Sequence, residues 1–319
     1  MVAATDCHRW GAARPPAAVH HAVTPEPADF LIANSCCWPA FPLPTPADPL
    51  GRYLASACRA QTADAAAIWL WDTQRWMGVA SLPAHTLTVT QLAFSSDGAR
   101  LASASRDRSV AVFQRQPEGA EGPPFSLVGR LAKAHGRIVW ALDWSPDSRL
   151  LATGSRDATV KLWSIGGCSP SGSGAADAGG SAGLLLKAPV AVLTLPDSVR
   201  SVAFAPECQP GPTYHLAVGL EDGALQLVQV RCSSAAGSSG SGGQLGVEER
   251  AVVWQSTRFT QHAAAVRRLC WRRQLCEGSS EGESEVADST LRPVYDLASV
   301  GDDHAIRVFA VVLPPAHVV

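Results

Sequence analysis

The sequence has no surplus of positive charge: 26 Lys and Arg stand against 28 Asp and Glu, for a net charge of −2. Proteins that grip a nucleic-acid backbone neutralise its phosphates with clustered Lys and Arg, so direct, sequence-specific nucleic-acid binding by this chain is not expected. No apolar run reaches the roughly 18 residues that a membrane-spanning helix needs. The first thirty residues hold acidic and Pro-containing stretches where a signal peptide would need an apolar core. The expectation is a soluble, non-secreted protein with no membrane partner. Nine cysteines are present, an odd number, and none forms a C-x-x-C pair; reduced thiols with no metal or redox role are expected. There is no G-x-S-x-G elbow, no H-E-x-x-H and no Gly-rich phosphate loop, so neither an enzyme nor a bound cofactor is expected.

What the sequence does have is repetition. Residues 94–113, FSSDGARLASASRDRSVAVF, are nearly repeated at 144–163, WSPDSRLLATGSRDATVKLW. The two copies share three spacings: 22 residues from His85 to Asp107 and from His135 to Asp157, 13 from Phe94 or Trp144 to that Asp, and 6 from the Asp to Phe113 or Trp163. Another copy, QHAAAVRRLCW followed by DLASVGDDHAIRVF, keeps 6 residues between Asp303 and Phe309 but places 41 between His262 and Asp303, so an insert lies inside it. A degenerate copy, SVRSVAFAPECQPGPTYHLAVGLEDGALQLV, keeps Asp222 and Val228 at the 6-residue spacing without the leading His or the closing aromatic. YLASACRAQTADAAAIWLWD preserves only the later strands of one more, with a lengthened turn and no recognisable first strand. The five copies fall at about 51–76, 84–115, 134–165, 190–230 and 261–311.

Within a copy, segments such as VTQLAF, RLASAS and SVAVF alternate between SSDG and SRD turns, which is a strand pattern. Evenly spaced short strands without long amphipathic helices predict an all-β repeat array. The Ser/Gly-rich stretches 166–183 and 233–243 and the acidic stretch 277–293 read as flexible inserts. Residues 1–50, rich in Ala and Pro and without usable periodicity, are expected to be mostly disordered.

The leading A/G-H, the S/T-x-D-x-x-x-x-x-W/F ending and a recurrence of about 40 to 50 residues resemble the WD-repeat family of β-propellers. Longer stretches, among them HTLTVTQLAFS, IVWALDWSPDSRLLATGSRDATVKLW, LAVGLEDG and AVRRLCW, resemble a branch of that family built from two fused propellers of about seven blades each. The resemblance covers about residues 51–312 and implies the carboxy-terminal half of such a protein, so five repeats would make an incomplete ring. For function it implies a non-catalytic scaffold subunit of a complex that modifies the wobble uridine of tRNA. The implied partners are that complex's large scaffold subunit and its catalytic acetyltransferase/radical subunit, and the implied location is the cytoplasm and also the nucleus. A generic WD-repeat adaptor, receiving substrates for ubiquitin ligation or reading peptides, is the alternative.

Ser, His and Asp recurring together raise the question of a hydrolytic triad. A triad needs one exposed nucleophile at a unique site, and two or three copies of the constellation, each inside its own brick, are the opposite signature. By the resemblance, the His before the first strand, a hydroxyl on the second, the turn Asp and the closing Trp form a buried hydrogen-bond network. The matching residues are His135, Thr153 or Ser155, Asp157 and Trp163; His85, Ser103 or Ser105 and Asp107; and His262 with Asp303. Phe113 offers no indole donor, so the network of its copy should be weaker. Function then falls to the surface. Arg106, Arg108, Arg137, Arg156, Arg200 and Arg267 recur beside the turn Asp or near the start of the first strand, and Arg is enriched at interface hot spots. They are the partner-binding candidates, together with Trp140, for which burial between blades is the competing reading.

Overall fold

A computed structural model of the chain describes residues 30–31, 48–58, 66–117, 119–165, 188–206, 213–234, 245–273 and 294–313. The inserts read at 166–183 and 277–293, most of 233–243 and of 1–50, and the lengthened turn at 59–65 lie outside the described residues.

The alternating segments all become strands, in five antiparallel sheets whose neighbours follow chain order. The first sheet comprises β1 (Phe30–Leu31), β2 (Tyr53–Cys58), β3 (Ile68–Asp72) and β4 (Met77–Leu82). The second comprises β5 (Val89–Phe94), β6 (Arg100–Ser105), β7 (Val110–Arg115) and β8 (Phe125–Leu131). The third holds β9 (Val139–Trp144), β10 (Leu150–Ser155), β11 (Thr159–Ser164) and β12 (Ala191–Thr194), and the fourth β13 (Val199–Phe204), β14 (Thr213–Leu220), β15 (Leu225–Ser234) and β16 (Leu245–Gln255). The fifth has three described strands, β17 (Val266–Arg273), β18 (Val294–Gly301) and β19 (Ile306–Val312). The five sheets have the form expected of blades from the resemblance, and among the described residues they do not close into a full ring.

Two findings bear on the chain's first part. The first blade does have a first strand: Phe30–Leu31 pairs with Ala57 and Cys58, inside the segment read as disordered. Two residues are too few to show a period, which is why the sequence conceals this strand. Asp48, also in that segment, is buried and ion-paired with Arg115 of β7, so the first blade's edge is tied to the second. Similarly, Ser233 and Ser234 extend β15 and are not part of a linker.

Packing follows from the second strands. Every residue of β6 (RLASAS), β10 (LLATGS) and β14 (TYHLAVGL) is buried, and their Ala, Ser and Gly let adjacent sheets approach closely. Four apolar clusters fill the spaces between consecutive sheets. Directed bonds pin these interfaces. The indole N–H of Trp144 donates to the Ala93 carbonyl at 3.0 Å and that of Trp271 to the Ala203 carbonyl at 3.1 Å. The Phe204 N–H donates to Asp143 at 2.8 Å and the Tyr214 hydroxyl to Asp147 at 2.6 Å. Each such bond satisfies a polar group that burial would otherwise penalise.

Two features of this core are exposed to test. On β19, Phe309 and Val311 turn inward against the fourth sheet's Trp254 side, while Ile306 and Val308 on the alternate face are 70% and 63% exposed. Val300 of β18 is exposed as well, so the fifth sheet presents an uncovered apolar face and, at β19, an outer edge unpaired among the described residues. The 319-residue chain expressed alone is expected to self-associate, and Ile306→Lys with Val308→Lys to suppress that; a monodisperse parent chain in light scattering contradicts this.

The second feature is His215 on β14, fully buried, with neither ring nitrogen hydrogen-bonded among the described residues. Burial pushes its pKa down to about 4, below the ordinary value of roughly 6.5. Between those two pH values the unfolded chain binds a proton that the folded chain refuses. Stability is therefore complete above the higher pH and falls by up to about 1.4 kcal/mol per unit as pH drops toward the lower. His215→Leu is expected to raise the melting temperature at neutral pH and to lose this component of the acid slope; parallel stability-versus-pH curves for the two proteins contradict it.

Candidate functional site

The turn carboxylates organise one end of every well-formed blade. In the third sheet, Asp157 accepts the Gly136 N–H at 2.8 Å and the Thr159 N–H at 3.1 Å, and faces His135 Nδ1 at 3.1 Å. His135 Nε2 lies 2.7 Å from Thr153 Oγ1, which accepts the Trp163 indole N–H at 2.9 Å. These contacts fix the protons. Trp163 donates to Thr153, Thr153 donates to His135 Nε2, and His135 Nδ1–H donates to the carboxylate, so the imidazole is neutral and each buried group has a partner. Burial drives the His135 pKa down, against the pull of Asp157. For Asp157 burial would raise the pKa, but the bonds from His135, Thr159 and Gly136 outweigh it and hold the carboxyl far below the usual range.

The fifth sheet repeats the arrangement. Asp303 accepts the Ala263 N–H at 3.0 Å and the Ala305 N–H at 3.1 Å, and faces His262 Nδ1 at 2.9 Å, while His262 Nε2 meets Ser299 Oγ at 2.8 Å. The Ala263 amide is the first cause of the strongly lowered Asp303 pKa. The second sheet differs in detail. His85 Nε2 meets Ser103 Oγ at 2.7 Å, but Nδ1 meets Ser109 Oγ at 2.7 Å and stands 3.4 Å from Asp107, which accepts the Thr86 and Ser109 N–H groups. Phe113 gives Ser103 no indole donor. Among the described residues the first sheet keeps that link, from the Trp71 indole to Ser56 at 2.8 Å.

Of the hydroxyls named from the sequence, Ser103 and Thr153 contact histidine, whereas Ser155 does not. Ser155 accepts the Asp157 N–H at 3.1 Å and donates toward the Arg137 carbonyl at 3.4 Å, closing the turn. Ser105 does the same for its own turn, accepting the Asp107 N–H. A register shift between Gly154 and Ser155 separates the two roles. Ser103, Thr153 and Ser299 are fully buried, so no substrate carbonyl can reach them, and the arrangement does structural work. Among the described residues, no cluster of His, Cys, Asp and Glu could hold a metal.

The Arg candidates divide into two sets. Arg106, Arg108, Arg137 and Arg156 are exposed on the turns and the loops leading to the innermost strands, and no ion pair engages their side chains among the described residues. Arg267 is engaged by Asp302 at 2.6 Å, whereas Arg200 has a loose contact with Glu221 at 3.6 Å. The positions of these two explain each other. The innermost strands carry a register shift at their second residue, falling at Thr90, Trp140, Arg200 and Arg267. A bulge re-aims its extra side chain, and here Trp140 and Arg200 meet, with the guanidinium 4.3 Å from the indole ring centre. Trp140 is thus half-buried beneath Arg200, and its indole N–H has no acceptor among the described residues.

Sequence reasoning missed these bulges, His215 and the reason for LEDG in the degenerate copy. The signal for the bulges is the second residue of VTQLAF, VWALDW, VRSVAF and VRRLCW. Gly223 has φ of +89°, and a Cβ there would sit 2.1 Å from the His262 carbonyl oxygen; only glycine fits. The Gly223 carbonyl in turn accepts the His262 N–H, as Arg108 accepts from Ala134 and Ala158 from Leu195. Each turn therefore holds the loop that begins the next blade.

Known proteins share this pattern. The family model "WD domain, G-beta repeat" matches residues 77–114 and 126–164. Elongator complex protein 2 of Rattus norvegicus is 35% identical over 267 residues, 81% of this chain and 29% of that protein. The proteins of that name from Arabidopsis thaliana and Homo sapiens are 34% and 32% identical, covering 82% and 81% of this chain and 27% and 29% of theirs. The chain spans less than a third of the length of these relatives. The blade topology, the repeated His–hydroxyl–Asp network and these alignments agree: two of the chain's repeats match the WD-repeat model, and over about four-fifths of its length the chain is similar to Elongator complex protein 2.

Proposed function

We propose that the chain acts as a non-catalytic scaffold within the Elongator complex, supporting wobble-uridine modification of tRNA through protein–protein contacts. The observation that carries this reading is the alignment with Elongator complex protein 2 from animals and a plant over 81–82% of the chain. The chemistry agrees with it. The one recurrent constellation of hydroxyl, imidazole and carboxylate is buried and consumed in holding blades, so the exposed rim is what remains for recognition. Four exposed Arg side chains on that rim, without an ion pair among the described residues, suit contacts with acidic or aromatic partner segments.

The partners proposed are the large scaffold subunit and the catalytic acetyltransferase/radical subunit of Elongator, with the tRNA chemistry residing in the latter. The location proposed with them is the cytoplasm, with a nuclear pool. A balanced charge, net −2, supports a role without direct sequence-specific nucleic-acid contact. Affinity isolation of the tagged chain from cells tests the reading. Co-isolation of those two subunits is expected, and cullin-type partners in their place contradict it.

A further inference from the structure

The bulge column has a chemistry that the scaffold role alone does not explain. Arg200 is aimed by its bulge to the end of the innermost strands, on the same side as the turn carboxylates, since Glu221 N–H bonds the Ser198 carbonyl and Asp302 N–H the Ala265 carbonyl there. Its side chain is only 8% exposed, and one face of the guanidinium lies on Trp140. A guanidinium so desolvated needs a charge partner at about 2.7 to 2.9 Å to fill its fork. Glu221, exposed and 3.6 Å away, does not provide one. Arg267 shows the contrast, because Asp302 meets it at 2.6 Å. Burial, followed by the positive charge of Arg267, lowers the Arg200 pKa, and Arg156 adds to this. The Ser198 hydroxyl meets the Arg156 carbonyl at 3.4 Å, which brings Arg156 to the same end, so among the described residues three guanidinium groups stand against two carboxylates and the Arg200 fork has no close partner.

We propose that the Trp140–Arg200–Arg267 cluster is a receptor for a single carboxylate, an Asp or Glu side chain on an acidic segment of a partner protein. The proposal rests on reading this rim as partner-facing. Trp140 holds the guanidinium flat, so the plane and its fork are set before binding, and a carboxylate engages it through two parallel N–H···O bonds while displacing the loose contact to Glu221. The ligand's charge follows from the neighbours. Glu221 and Asp302 would repel a dianion such as a phosphate group, whereas one negative charge balances the single excess cation.

A fluorescein-labelled peptide with four Glu spaced by Ser, and its twin with Gln in place of Glu, test this by fluorescence anisotropy on the 319-residue chain carrying Ile306→Lys and Val308→Lys, the pair expected to keep it from self-associating. The Glu peptide is expected to bind and the Gln twin not. Arg200→Gln is expected to weaken binding at least about tenfold and Arg200→Lys by less, since the charge stays but the fork is lost. Glu221→Gln is expected to tighten binding by about threefold through removal of the competing acid, a gain that misfolding cannot imitate. Inorganic phosphate is expected to displace the peptide no better than acetate at equal ionic strength. Equal binding of the two peptides, unchanged affinity in Arg200→Gln, weaker binding in Glu221→Gln, or preferential displacement by phosphate would each overturn the proposal. The scaffold reading fails on co-isolation and this one on peptide affinity, so the two fail separately.

Discussion

In the second, third and fifth blades one carboxylate joins chain segments that lie far apart in sequence: Asp107 takes the Thr86 N–H, Asp157 that of Gly136, and Asp303 that of Ala263, 40 residues away. Everything else in those blades follows from that clamp. It fixes the loop on which the histidine rides, which brings the imidazole over the second-strand hydroxyl. It also fixes the turn, whose carbonyl then accepts the amide that begins the next blade, as at Arg108 and Ala158. A sheet that buries its second strand on both faces needs this ordering, because a polar group left unpaired there costs about 1 to 3 kcal/mol.

Where the clamp is reduced, other devices hold the blade. The fourth sheet has no histidine ahead of its first strand, and Asp222 caps only the Ala224 N–H. Its turn keeps the bond that the second and third blades also make, the Gly223 carbonyl accepting the His262 N–H at 3.0 Å, and Gly223, free of a Cβ, packs directly against the His262 carbonyl. The first sheet relies on the Trp71 link to Ser56 and on the Asp48–Arg115 pair with its neighbour. Conserving the clamp in some blades and replacing it in others leaves the rim chemically uneven. The cationic turns belong to the second and third blades, and the Arg200 cluster spans the third to the fifth.

Much of this architecture is legible in the spacings. The separations of 22, 13 and 6 residues in two copies set strand lengths and turn positions, and period-two alternation set the buried faces. Three features escaped for physical reasons. Thr153 and Ser155 lie two apart and share a face by parity, so only the register shift between them tells which one meets His135. Phe30–Leu31 is too short for a pattern. The Trp140–Arg200 stack depends on bulges, and a bulge leaves no periodic mark in a strand as short as 6 residues. The Arg residues themselves were evident from SRD and VRSVAF; which of them were free and which were engaged was not, since that turns on acids in neighbouring blades such as Glu221 and Asp302.

The bulge thus serves both levels of the molecule. In the second to fifth sheets it ends regular pairing near the turn and sets one side chain, Thr90, Trp140, Arg200 or Arg267, outside the ladder. The central claim, that the clamp and not the turn residue as such secures a blade, is tested most directly by comparing equilibrium unfolding of Asp157→Ala and Asp222→Ala. Asp157→Ala strands the His135 Nδ1–H and the Thr159 N–H and should cost about 2 to 3 kcal/mol, while Asp222→Ala loses one exposed cap and should cost about 1 kcal/mol or less. Equal losses for the two substitutions would contradict the account.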